Sequence, residues 1–215
     1  MAEHILPQRK ETIPFKHDAL NFAIGLLNLI IAGVGGYFLQ KWISLYAQNH
    51  FGFLQLIPMA SWLKVLLGFI LLDLYMYWWH RMNHNIKFLW RFHSFHHKDE
   101  KLNSTSALRF HAVELLLSLL VKFSIFPLLG LNLMAVLLYA MVLFPVIVLH
   151  HSNISISEKT DTLLRNIFVS PRMHRIHHSK IRMETDSNYS SVFPYWDKIF
   201  KSYNHKPVKE IEFGI

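Results

Sequence analysis

Four apolar runs of membrane-crossing length dictate most of what this chain can become. Ala19 to Gln40 is uncharged, and Met59 to Trp79 carries only Lys64 and Asp73. Ala112 to Leu129, with Glu114 and Lys122, meets Leu131 to Leu149 at Gly130-Leu131-Asn132, a junction that predicts a tight helical hairpin. A helix needs roughly 20 residues to cross the hydrocarbon core, where every backbone polar group has to be paired within the chain. We therefore predict an all-α integral membrane protein with transmembrane helices at 19–40, 59–79, 112–129 and 131–149. The first is not expected to be a cleaved signal peptide, because its apolar run is too long and the polar lead 1–18, with Pro7 and Pro14, precedes it.

Basic residues set the expected orientation, since cytoplasmic loops carry the excess of Lys and Arg. Four spans put segments 1–18, 80–111 and 150–215 on one side, and these hold 19 of the 22 basic residues. Both termini and the segments 80–111 and 150–203 are thus expected in the cytosol, as a helical cap on a single domain, 1–215. The asymmetry and attraction to anionic lipid account for the net charge of +8, so no nucleic-acid partner is expected. A chain 52% hydrophobic and 17% charged is not disordered. With no cysteine, it has no disulfide scaffold, cysteine zinc finger, cysteine-ligated iron–sulfur cluster or cysteine nucleophile.

Smaller signals fill in the connections. Trp42 to Ile57 mixes aromatics with Gln48, Asn49 and His50 and reads as a short interfacial piece on the far side. Trp42, Trp62, Trp78, Trp79 and Trp90 fall near the span borders, where amphipathic rings anchor. Pro145 is expected to kink the fourth span.

The cap segments concentrate histidine. Eleven of the 15 histidines lie in 80–111 and 150–178: His80-x-x-x-His84, His93-x-x-His96-His97, His111, His150-His151 and His174-x-x-His177-His178. Independent placement would produce an HxxHH pattern roughly 0.07 times in such a chain. It occurs twice. The i, i+4 and i, i+3 spacings put His80 with His84, His93 with His96 and His174 with His177 on single helix faces, which aims several imidazoles at a common centre. His4, His17, His50 and His205 read as ordinary residues.

About nine neutral nitrogens exceed the four that zinc usually takes and suffice for two metals with positions left open. Open positions point to iron and oxygen chemistry, although the ligands alone would also accept zinc or manganese. His111 opens the third span and reads equally as ligand, as support to a ligand or as helix cap. His150 reads as the neighbour of a better candidate, His151. Asp73, Tyr77, His80 and His84 share one helical stripe, and a carboxylate within a span needs a partner. Orienting a ligand histidine suits Asp73, and a polar contact to another span is the alternative.

At this point the ordered motifs HRMNH (80–84), HSFHH (93–97), LRFHAVE (108–114), HHSNI (150–154), PRMHRIHHS (171–179) and DSNYSSVFPYWDKIF (186–200) come together. The set resembles the membrane-bound fatty acid hydroxylase and sterol desaturase superfamily over about residues 70–203. The resemblance implies a four-span bundle with a cytosolic metal cap and a non-haem di-iron centre. It further implies that His80, His84, His93, His96, His97, His174, His177 and His178 are ligands, with His151 a ninth, while His111 matches the histidine of the family's R-x-H-P-x-E pattern. Glu114, Asn153, Asn188 and Asp197, within the same motifs, join Asp73 and Tyr77 as candidates to orient ligands. Ala112 stands where that pattern has proline, Ser190 where Asn-Tyr-Gly is commoner, and Lys201 where glycine follows the last phenylalanine.

The expected function is an O2-dependent lipid hydroxylase or desaturase carrying two iron ions, with zinc a conceivable substitute. Its substrate would be a sterol, fatty acid or related lipid entering from the bilayer. No haem, flavin or iron–sulfur signature appears, so a separate electron donor of ferredoxin or cytochrome b5 type is expected. Two rivals are a haem electron carrier, which a Soret band would reveal, and a divalent-metal transporter, which uptake into proteoliposomes would reveal. Spacing leaves the lipid, the choice between hydroxylation and desaturation, and the oligomeric state open.

Overall fold

The structure, a computed structural model, describes residues 2–205 and 210–215. Lys206 and Lys209, counted above among the basic residues, lie outside the described residues, as does the side chain of His4. Helices dominate: α1 (Phe15–Gln48), α2 (Ser61–Asn85), α3 (Lys87–His97), α4 (Ala112–Leu129), α5 (Leu133–His151) and α6 (Pro171–His177), with shorter helical turns before, between and after them. Among the described residues strand pairing is limited to two isolated bridges. Four helices, α1, α2, α4 and α5, are long and apolar enough to cross a membrane, so the chain is an integral membrane protein.

The first span differs from the expected 19–40. Pro14 has extended backbone (φ −64°, ψ 139°), and the helix starts directly after it at Phe15. It then runs through Trp42 and Tyr46 to Gln48, so the first part of 42–57 continues the first helix and is not a separate piece. Lys41 alone does not break a helix. The helix ends at Gln48 with Asn49 as its C-cap, and the chain then turns at Gly52, whose φ of 102° only glycine adopts without strain. A Cβ there would lie 2.2 Å from the Pro127 carbonyl oxygen, so this glycine lets the α1–α2 connection press against the α4–α5 turn. Gln55 then donates to the Gly130 carbonyl at 2.7 Å.

The α4–α5 hairpin forms where the sequence predicts it. Gly130 takes the left-handed conformation (φ 70°) that ends α4. Asn132 accepts from the Ala135 N–H at 2.8 Å and starts α5, which runs through Pro145.

The bundle's buried centre joins Leu72, Tyr75 and Trp79 of α2 to Phe126 of α4 and Ala135 and Tyr139 of α5. Trp79 is therefore core and not a border anchor. Trp90 also departs from that expectation: it packs within the cap, its ring 4.9 Å from that of His84 and tilted by 51°.

Asp73 departs from its leading expectation. Its carboxylate accepts from Tyr139 Oη (2.8 Å), Val192 N (3.2 Å), Phe193 N (3.1 Å) and Trp196 Nε1 (2.8 Å), with no histidine among its hydrogen-bond partners. A charge at a helix centre in the membrane costs about 2.5–3.5 kcal/mol. Hydrogen bonds to charged groups contribute roughly 1.5–3 kcal/mol each, so four of them offset that cost. The contact to another span is the one realised, and it also pins segment 192–196 beneath α2 and α5.

Candidate metal centre

Local structure explains how each histidine is aimed. Helix α2 runs without a break past the last apolar turn, so His80 and His84 extend one turn apart from its end. Helix α3 carries His93, His96 and His97. The last turn of α5 carries His150 and His151. Ser170 caps α6 by accepting from Met173 N, Pro171 opens it, and it presents His174 and His177, with His178 at its C-cap.

These elements gather nine imidazoles into two adjoining groups. His80, His84, His93, His97 and His177 form one, and His96, His151, His174 and His178 the other, with one ring nitrogen of each within 4.8 Å of the rest of its group. The groups meet through His97 and His178, whose rings stack at 4.4 Å.

Hydrogen bonds fix which nitrogen faces inward. Nδ1 donates to Tyr189 O from His80 (2.8 Å), to Asp186 Oδ1 from His84 (3.2 Å) and to Glu114 Oε1 from His93 (3.0 Å). The same holds for His96 to Arg109 O (3.2 Å), His151 to Ile147 O (2.8 Å) and His177 to Ser187 O (2.6 Å). Carbonyls and carboxylates only accept, so each of these six rings carries a proton on Nδ1 and leaves Nε2 to face inward.

These inward nitrogens fit a metal. Nε2 of His96 and of His151 lie 3.0 Å apart, two lone pairs face to face, which is repulsive without a cation between them. Nε2 of His174 is 2.9 Å from His151 Nε2 and 3.0 Å from His178 Nε2, and His97 Nε2 is 3.2 Å from His93 Nε2. Nitrogens at right angles around an ion, at metal–imidazole distances of roughly 2.0–2.1 Å, lie about 3.0 Å apart. Nε2 of His84 and of His177 is buried with no hydrogen-bond partner. Burial, reinforced by neighbouring imidazoles, holds His96, His97, His174, His177 and His178 well below the ordinary histidine pKa. They are neutral, as ligands have to be.

The remaining candidates fall in different places. His111 lies outside both groups: its Nδ1 accepts from Val113 N at 3.1 Å and caps α4. His150, also outside them, stacks on His174 at 3.9 Å. Glu114 holds His93 and accepts from Asn83 at 3.3 Å. Tyr77 touches Ser202 (2.8 Å) and Arg81 (2.9 Å) and hydrogen-bonds to no histidine. Asp197 accepts from Tyr189 N and Ser190 N, and so holds the segment whose carbonyls take the His80 and His177 protons. Asn188 clasps Met173 O and the backbone of Asn204. Asn153 is bonded to the backbone of Arg9, so it anchors the lead and not a ligand. Sequence reasoning missed Asp186, the acceptor for His84, because a pairing across 102 positions leaves no local spacing to read.

A cavity of about 420 Å³ leads away from this centre. His80, His93, His96, His151 and His174 line one end, and mostly apolar side chains of α1, α2, α4 and α5 line the rest, with Asn28, Ser118 and Lys122 among them. Leu29 of α1 and Phe144 of α5, both exposed on the outer face of the bundle, flank it.

The sequence profile described as fatty acid hydroxylase matches residues 65–202, more than half of the chain and the stretch that supplies all nine histidines. The chain belongs to the fatty acid hydroxylase family. Among curated relatives, ornithine lipid hydroxylase OlsE of Rhizobium tropici is 32% identical over 150 residues, covering 70% of this chain and 44% of that protein. Alkylglycerol monooxygenase of Homo sapiens is 28% identical over 151 residues, covering 70% and 32%. The enzyme of that name from Danio rerio is 28% identical over 167 residues, covering 74% and 34%. This fatty acid hydroxylase family chain thus spans less than half the length of these relatives. No solved structure matches it significantly.

Proposed function

We propose that the protein is a membrane-bound oxidoreductase, a non-haem di-iron oxygenase that hydroxylates a lipid using dioxygen and external electrons. The observation that carries this reading is the pair of imidazole groups, buried but for the half-buried His80, at one end of a cavity walled by membrane helices. His80, His84, His93, His97 and His177 would hold one iron, and His96, His151, His174 and His178 the other. Bound there, the iron supplies O2-dependent attack on an unactivated C–H bond. The relatives' names, hydroxylase and monooxygenase, favour hydroxylation over desaturation.

The chain's own residues do the positioning. Glu114, Asp186 and the carbonyls of Arg109, Ile147, Ser187 and Tyr189 lock six rings so that Nε2 faces inward. The largely apolar cavity wall admits a lipid chain and limits water at the centre.

Electrons have to reach the centre from a separate carrier. Trp90, its ring 4.9 Å from that of His84 and 5.5 Å from that of His97, lines a surface depression with Ser94, Lys98, Lys180 and Arg182. That basic surface suits an acidic donor of ferredoxin or cytochrome b5 type. The excess of Lys and Arg in 80–111 and 150–215 supports a cytosolic face for the cap.

The test is to purify the protein with iron, measure metal per chain, and supply membrane lipids, dioxygen and a competent reductase. We expect two irons per chain and a lipid product that has gained one oxygen atom by mass spectrometry. Iron-replete protein that forms no oxygen-dependent product from any lipid pool would overturn the reading.

A further inference from the structure

Lys122 is a cation in the middle of a membrane span, and the histidine centre makes no use of it. It lies eight positions beyond Glu114 on α4, about 12 Å along the helix at 1.5 Å per residue, and seven before the helix end at Leu129. Glu114, Leu115, Ser118 and Lys122 form one stripe of α4 that lines the cavity. The other charged residues within the apolar runs have partners: Asp73 and, through Oε1, Glu114 as described, and Lys64 with the Gln55 carbonyl at 3.4 Å. Lys122 has neither hydrogen bond nor ion pair among the described residues.

A second unpaired group lines the same cavity. Asn28 of α1, 8% exposed, donates to the carbonyls of Leu108 (3.2 Å) and Phe110 (2.9 Å). Its Oδ1 is buried without a partner. A plain hydrocarbon in the cavity would leave both the ammonium and this oxygen unpaired, which is costly away from water.

We infer that the lipid bound here carries an acceptor oxygen that seats on Lys122, about 12 Å from the metal-centre end of the cavity, and a hydrogen-bond donor that meets Asn28 nearer the histidines. Lys122 is then a specificity residue: it selects chains bearing a carboxylate, ester or hydroxyl oxygen at that depth. The inference rests on the oxygenase reading for the identity of the occupant as substrate.

The test measures anaerobic binding of four probes to the iron-loaded protein by calorimetry: palmitic acid, methyl palmitate, hexadecanol and hexadecane. We expect the wild type to bind the three oxygen-bearing probes roughly tenfold or more tighter than hexadecane, the scale of a hydrogen bond to a charged group. Lys122→Met, of similar length, should abolish that preference while metal content and melting temperature stay unchanged. Lys122→Gln should keep the preference for ester and alcohol and lose any added preference for the carboxylate, which identifies the acceptor. A wild type without the preference, or a Lys122→Met protein that retains it, would overturn the inference. If the preference holds and depends on Lys122 while no lipid is oxidised, the oxygenase reading fails and the subsite stands. If lipid is oxidised without the preference, the reverse holds.

Discussion

His93 donates from Nδ1 to Glu114 Oε1 at 3.0 Å, and both groups are buried between α3 and the first turn of α4. The bond turns a membrane helix into a support for the metal centre, because it fixes the His93 ring so that Nε2 faces His97. Glu114→Ala should therefore lower metal affinity about 10–100-fold, the usual effect of removing a ligand's hydrogen-bond partner. Glu114→Gln, which keeps an acceptor oxygen, should lose less. Metal titration of both variants checks this, and equal affinity in wild type and Glu114→Ala would contradict it.

Helix α4, Ala112–Leu129, was fully legible because both its ends are written locally: His111 caps it and Gly130 stops it. Helix α1 was not: its extension to Gln48 carries Trp42 to the Phe123 carbonyl, a contact between elements that local spacing does not show. Eight of the nine gathered histidines were legible because i, i+3 and i, i+4 spacing survives in sequence, and His151 through the resemblance of its HHSNI motif. Their acceptors largely were not, because four of the six are backbone carbonyls, which every residue carries. Asp73 was misjudged because the stripe argument considered its own helix alone, whereas its donors come from α5 and segment 192–196.

Asp73 should thus matter for folding more than for metal orientation. In Asp73→Ala, four donors lose their acceptor, and a buried donor left unsatisfied costs about 1–3 kcal/mol. A large drop in thermal midpoint is expected, with Asp73→Asn intermediate. An unchanged midpoint would show that segment 192–196 is held by other contacts.

Metal-free protein should be acid-sensitive. Burial first, then neighbouring imidazoles, lowers the folded pKa of His96, His97, His174, His177 and His178. The unfolded chain, with histidines near pH 6.5, binds more protons than the folded one below that pH, so stability rises with pH there and falls as pH drops. The melting temperature of chelator-treated protein should hold above about pH 7 and decline steadily from about pH 6.5 downward. Bound metal should oppose the decline, because it competes with protons for the same nitrogens. A flat profile through this window would mean that the five imidazoles are not neutral in the folded state.

His111 and His178 separate a cap from a member of the centre. His111 accepts from the Val113 N–H at 3.1 Å and touches neither histidine group through hydrogen bonds. Asparagine is among the best N-cap residues, so His111→Asn should retain metal content, with a stability change within about 1 kcal/mol. His178 sits 3.0 Å from His174 through paired Nε2 atoms, and asparagine there offers no nitrogen lone pair to an ion. His178→Asn should cut bound metal sharply while leaving the membrane bundle folded, because the spans pack around Leu72, Phe126 and Tyr139, away from the histidines. Metal analysis beside circular dichroism on the two variants decides the matter: metal loss in His111→Asn with helicity intact would make His111 a ligand.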